Sequence, residues 1–210
     1  TEVQELVKIA EVYASMPNLT FNLKYTYADS LTWQTYTDSM FATCKLSYGK
    51  SLLSNSEIEV LKGTDYNVFV DKEDSIVMVS RRQAEESLFH APLLDSVFRE
   101  ANVLSMSISP YSDSLWRFNV VFKPDSYYSF YEMFYNPQTG LVSSVNYHGR
   151  NDAGAHDIPE DHVICANIIM TNYSTAELDP VLFNENRYFY RLNGVTYLQP
   201  AWQQFQLENY

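Results

Sequence analysis

About ten short stretches in which apolar and polar residues alternate follow one amphipathic N-terminal segment, and no catalytic signature interrupts them. The clearest is Leu19-Thr20-Phe21-Asn22-Leu23-Lys24-Tyr25-Thr26-Tyr27, where every odd position is apolar and every even one polar. Successive side chains of a strand point to opposite faces, so such a run buries one face and wets the other. The pattern predicts Leu19, Phe21, Leu23, Tyr25 and Tyr27 inside, with Thr20, Asn22, Lys24 and Thr26 in water. A slip of one residue would exchange the two sets, so the register is strongly specified.

Residues 1–15 read as a helix with Val3, Leu6, Val7, Ala10, Tyr13 and Ala14 on its apolar face. Glu2 and Glu5 suit its start, and Pro17-Asn18 ends it. Further strands are predicted at Met40–Tyr48, around Ile58 and Val60, and at Tyr66–Val70 and Ile76–Val79. Asp71-Lys72-Glu73-Asp74 joins the last two as a hairpin. Residues 82–102 break the alternation. Arg82–Ala91 reads as one helix, and Pro92 opens a second with Leu94, Val97, Phe98 and Ala101 as its stripe.

Alternation returns at Leu104–Ile108 and Trp116–Phe122. Tyr127–Tyr135 is aromatic on both faces, which predicts cover on both sides. Asn136-Pro137-Gln138-Thr139-Gly140 is a turn into the strand Leu141–Tyr147. Residues 148–162 read as a polar loop and Val163–Tyr173 as a strand. The tail, 174–210, reads as an irregular extension with a turn at Leu178-Asp179-Pro180 and a hairpin at Asn193-Gly194.

A chain of 210 residues fits a single domain, 1–210, large enough to bury a core without staples. The aromatic content, 17 Tyr, 12 Phe and 3 Trp, suits either a filled core or an apolar pocket with polar tips. A formal net charge of -12 repels phosphate backbones, which argues against a nucleic-acid partner. No apolar run is long enough for a transmembrane helix. The chain opens at Thr1 without Met, and we expect a leader to have been removed.

Signatures of chemistry are mostly missing. Gly49-Lys50-Ser51 resembles the end of a phosphate-binding loop, but Cys44 stands where that loop needs its first Gly, so a hairpin turn is expected. Neither G-x-S-x-G nor H-E-x-x-H occurs. Cys44 and Cys165 fall in alternating strands, where packed, inert and unbridged thiols are expected; no C-x-x-C occurs. The stretch His148–His162 gathers three of the four histidines with four carboxylates. His148, His156, His162 and Asp157 form the alternative metal-ligand set, and His148 with His162, at the two strand ends, is its best-placed pair. The expectation is that this loop binds no metal tightly, because ordering a Gly-containing loop around an ion costs entropy at every residue fixed.

The order of elements, helix, long strand (19–29), antiparallel run, helical interruption, then a strand pair closed by Asn136-Pro137-Gln138-Thr139-Gly140-Leu141, resembles the LolA/LolB-like group of bacterial envelope proteins over residues 1–173. The resemblance implies an α+β fold: a curved antiparallel sheet, an open half-barrel, whose concave face is covered by the N-terminal helix and a mid-chain helical insertion. In the carriers of that group this space accepts lipid chains. No family motif assigns binding residues here; Leu23, Tyr25, Met40, Trp116 and Phe118 are the candidate apolar lining.

Three functions compete. The first is a non-catalytic binding protein for an apolar or lipidated ligand, periplasmic or lipid-anchored in the bacterial cell envelope. The second is a structural or interaction component of that envelope with an envelope protein as partner. The third is a metal-dependent hydrolase using the 148–162 loop. No cofactor is expected.

Overall fold

Alternation does build this molecule, as one α-helix, three short 3-10 helices and fourteen strands among the described residues. The computed structural model describes residues 1–28, 38–83, 103–124, 126, 128–150 and 163–209. Helix α1 is Glu2–Ser15, and the strands are β1 (Leu19–Ala28), β2 (Asp38–Ser47), β3 (Lys50–Ser54), β4 (Ile58–Lys62), β5 (Tyr66–Asp71), β6 (Ile76–Arg81), β7 (Val103–Pro110), β8 (Trp116–Phe122), β9 (Tyr128–Tyr135), β10 (Val142–Arg150), β11 (Val163–Ser174), β12 (Phe189–Leu192), β13 (Val195–Leu198) and β14 (Gln206–Asn209). Twelve of them form an open sheet in the order β14-β6-β5-β4-β3-β2-β1-β11-β10-β9-β8-β7, and β12 pairs with β13 apart from it. The ladders from β2 to β6 and from β7 to β11 are antiparallel, whereas β14 joins β6 in parallel. The two helices expected over 82–102 lie outside the described residues, except for Arg82 and Gln83.

The turns follow their side chains. Tyr48 (φ 44) and Gly49 (φ 76) make the β2–β3 turn with both residues left-handed, the twist a two-residue hairpin needs. At Asn136–Gly140 the Asn136 carboxamide accepts the Gln138 and Thr139 N–H groups, and Gly140 takes φ 71. The Asp71 carboxylate does the same for Glu73 and Asp74 between β5 and β6.

Three expectations change. The buried stripe of α1 is Leu6, Ile9 and Tyr13, while Val3 and Val7 are 55% and 51% exposed. At 100° per residue the helix carries two adjoining apolar arcs, and packing uses the one centred on Ile9. In β1 the alternation holds from Leu19 to Lys24 and then fails. Thr26 and Ala28 are buried and Tyr25 and Tyr27 half-buried, so both faces are covered there. Strand β10 also runs on to Arg150, so His148–Arg150 belongs to the sheet rather than to the loop.

The chain divides into two compact units. The first holds Thr1–Val12, Leu23–Phe41 and His90–Thr171; the second holds Tyr13–Asn22, Ala42–Phe89 and Asn172–Tyr210. The core of the second joins Leu52, Leu61, Val68, Val70, Val77 and Val79 of β3 to β6 to Phe183, Tyr188 and Phe189 of the tail. Polar contacts from the tail add to this packing. Glu185 accepts the Asp65 and Tyr66 N–H groups at the β4–β5 turn, and the Tyr188 hydroxyl donates to Glu59, which Arg187 approaches at 3.6 Å. The tail is therefore structured cover, with β14 as a strand that alternation did not reveal.

Candidate functional site

Within the first unit, cross-strand partners place the candidate residues on one face of the sheet. Trp116, Phe118 and Val120 stand opposite Tyr135, Met133 and Tyr131 of β9. Met133 and Tyr131 in turn stand opposite Val145 and Tyr147 of β10. The Tyr147 hydroxyl lies 3.1 Å from that of Tyr25, which brings Tyr25, and with it Leu23, to the same face. On the opposite face the Lys24 ammonium sits 5.4 Å from the Phe41 ring centroid, so Met40, one position earlier, again shares the face of Tyr25.

Leu23, Tyr25, Met40, Trp116 and Phe118 thus share a face but do not converge on one point. Four strand steps of about 4.8 Å separate β1 from β8. Phe118 is wholly buried and Leu23 nearly so; Tyr25 and Met40 are half-buried, and Trp116 is exposed.

The two ends of this face differ in cover. At the Trp116–Tyr135 end lies the first part of α1. Val12 Cγ2 is 2.9 Å from where a Cβ on Gly140 would stand, so only glycine admits the helix so closely. Burial, with the Glu5 carboxylate beside it, pushes the Tyr135 phenol up to about 12. At the other end stand Tyr25, Tyr147, Tyr128 and Phe122. Tyr128 packs edge-on to Tyr147 at 5.8 Å and tilted against Phe122 at 5.8 Å. Behind them Tyr131 is fully buried, and desolvation pushes its phenol far up, so it stays neutral.

This tyrosine end combines apolar ring faces with two half-buried hydroxyls. Such a surface can take a hydrocarbon chain along the rings and a carbonyl or ester oxygen at the phenols. Sequence reading finds Tyr25 but misses Tyr128, Tyr147 and Phe122. Of these only Tyr128 lies in the doubly aromatic run at 127–135, which predicts cover and does not by itself mark a surface.

The cysteines offer no nucleophile. Both thiols are free and buried. Desolvation pushes Cys44 up to about 12 and also raises Cys165. Strand β1 stands between β2 and β11 in the sheet order, so the strands of the two cysteines are not adjacent. Cys165 faces His148 across the β10–β11 ladder, yet burial lowers the His148 imidazole while it raises the thiol. The pair is therefore neutral on both sides, and the imidazole lies 4.8 Å from the Phe130 ring. His156, Asp157 and His162 lie outside the described residues.

No family model matches the chain, and no curated protein does. Among solved structures it is similar to an uncharacterised conserved protein from Thermus thermophilus, at 6% identity and a TM-score of 0.51, covering 100% of both chains. Lower-scoring likenesses include a LolA superfamily protein, NE2245, from Nitrosomonas europaea, with 9% identity, a TM-score of 0.37 and coverage of 89% of this chain and 98% of that one. A putative outer membrane lipoprotein-sorting protein domain from Vibrio parahaemolyticus matches with 9% identity, a TM-score of 0.38 and coverage of 88% and 96%.

Proposed function

We propose that this chain is a non-catalytic binding module of the bacterial cell envelope, which takes an apolar or lipidated ligand on the tyrosine-lined sheet face of its first unit. The observation that carries this reading is the half-buried Tyr25–Tyr147 hydroxyl pair on the apolar face that also holds buried Leu23 and Phe118. Two phenols bonded to one another can each redirect to a ligand oxygen, exchanging one hydrogen bond for another at small net cost. The half-buried Tyr25, Tyr147 and Met40 add apolar area, at about 25 cal/mol per Å² removed from water, over a floor made by the buried Tyr128 and Phe122. Leu23 and Met40 extend that lining along β1 and β2, while Trp116 and Phe118 lie four strands away from β1.

Binding is favoured over thiol catalysis because both thiols are buried and held protonated, which removes the cysteine nucleophile. The envelope location rests on the resemblance in element order to the LolA/LolB-like group, whose carriers hold lipid chains. No helix among the described residues is long and apolar enough to cross a membrane.

Native mass spectrometry of the purified protein should show a co-purified lipid. Titration with a fluorescent acyl chain should give a Kd at least ten times weaker in Tyr25→Ala or Tyr147→Ala, about 1.4 kcal/mol. An unchanged Kd in both variants, each still folded, would sink the assignment of this face.

A further inference from the structure

The second unit carries a surface that its core does not explain. In the β12–β13 hairpin Tyr190 stands opposite Tyr197 and Leu192 opposite Val195, with Asn193 (φ 50) and Gly194 (φ 82) as the turn. Alternation puts these four side chains on one face and Phe189, Arg191, Thr196 and Leu198 on the other. The second set is the inner one, with Phe189 3% and Thr196 8% exposed. The outer set is entirely apolar or aromatic: Tyr190 41%, Leu192 58%, Val195 51% and Tyr197 42% exposed. Ordinary two-stranded ribbons turn such residues inward and polar ones outward; here the single charge of the hairpin, Arg191, is on the inner side.

The order of residues from the tip is specific. Leu192 and Val195 flank the turn, and the stacked Tyr190–Tyr197 rings, 5.4 Å apart, form the next layer back. Arg191 lies between these layers. Its guanidinium donates to the Tyr66 hydroxyl at 2.6 Å and to the Gly194 carbonyl at 3.2 Å. Neither partner is a carboxylate, so these bonds leave its charge uncompensated. Arg81, exposed, stands opposite Tyr66 in the β5–β6 ladder. The two guanidiniums hold the Tyr66 phenol below its usual range.

We infer that the β12–β13 hairpin docks on a phospholipid bilayer, seating Leu192 and Val195 at the hydrocarbon boundary, Tyr190 and Tyr197 among the headgroups, and Arg191 and Arg81 against lipid phosphates. The aliphatic tip and the tyrosine layer behind it follow the polarity gradient of a membrane interface, and the arginines, on the inner side of the hairpin, supply the cationic partners for phosphate. Area disfavours a second copy as the occupant. With a tyrosine presenting roughly 200 Å², the patch exposes about 350 Å², less than half of the about 800 Å² per partner in a stable protein interface. Charge selects the lipid: a chain of net charge -12 is repelled by anionic surfaces, so its lipids are zwitterionic, offering phosphates to the arginines without a net negative field. The inference does not depend on the acyl-ligand site of the first unit, which is tested by different variants.

The test is flotation of the full chain with phosphatidylcholine vesicles. Wild type should float, and the double variant Leu192→Ser, Val195→Ser should lose at least nine-tenths of the bound fraction, while Arg191→Gln loses less. Both serines replace exposed side chains, so thermal midpoints should match wild type. As a second reading, Val195→Cys labelled with a polarity-sensitive dye should shift its emission to the blue on adding vesicles; the buried Cys44 and Cys165 should stay unlabelled. Failure of wild type to float, flotation unchanged in the double variant, or no dye shift would each overturn the proposal. So would sedimentation showing a wild-type dimer that the double variant dissolves.

Discussion

Two sheet faces in this molecule meet the same problem and solve it differently. In the second unit the apolar face of β3 to β6 is closed by the chain itself: Phe183, Tyr188 and Phe189 of the tail complete the core, and Trp202 stacks on Tyr188 at 5.6 Å. In the first unit α1 meets the sheet at Gly140 and Tyr135, while the Tyr25–Tyr147 pair stays half-buried with its hydroxyls turned to each other. A sheet face must be covered by something, and where the chain supplies the cover the residues are fixed in place. Where cover is partial, side chains with an apolar body and a polar tip are what the surface tolerates. Tyrosine therefore serves twice in each unit, as core filler at Tyr131, Tyr135 and Tyr188 and as partly wet surface at Tyr25, Tyr147, Tyr190 and Tyr197.

The largest expected effect falls on the self-sealed face. Phe183→Ala removes a ring that is 3% exposed and should cost about 3–5 kcal/mol, read as a lowered urea midpoint. A loss under about 1 kcal/mol would mean that the tail is not integral to that core and would dissolve the contrast between the units. A smaller effect is expected where α1 meets the other face. Gly140→Ala puts a Cβ 2.9 Å from Val12 Cγ2 at a left-handed φ of 71 and should cost about 2 kcal/mol. Val12→Ala in the same chain should recover the steric part of that loss, which sharpens the assignment of the helix as cover.

The smallest effect is a pH dependence of the buried thiol. The Cys44 pKa is raised from 9.0 to about 12 because burial disfavours the thiolate. A raised pKa contributes stability that is fully present below 9.0 and is lost as pH climbs toward 12. Between pH 8 and pH 10 denaturant titration should show about 1 kcal/mol less stability, and Cys44→Ala should remove this component of the slope.

Periodicity exposed much of the architecture before any coordinates. The helix at the N-terminus, the antiparallel strands, the Gly49, Asn136–Gly140 and Asn193-Gly194 turns, and the inward set Leu19, Phe21 and Leu23 all follow from local chemistry. Alternation, turn residues and caps act over a few residues, so a sequence displays them directly. The candidate site was legible only in part. Tyr25 could be named as apolar lining, but nothing local says that its hydroxyl meets Tyr147, 122 positions away.

What only the tertiary structure decided has one physical source. The apolar arc that α1 buries, the loss of alternation beyond Lys24, the parallel pairing of β14 with β6 and the outward apolar face of the hairpin all depend on which element covers which. Both arcs of α1 are apolar enough to be buried, and Thr26 is small enough to be either wet or covered, so burial free energy alone does not choose between the alternatives. The choice was made by partners distant in sequence: the close approach at Gly140, the tail that fills the second core, and the ladder that brings β11 back to β1.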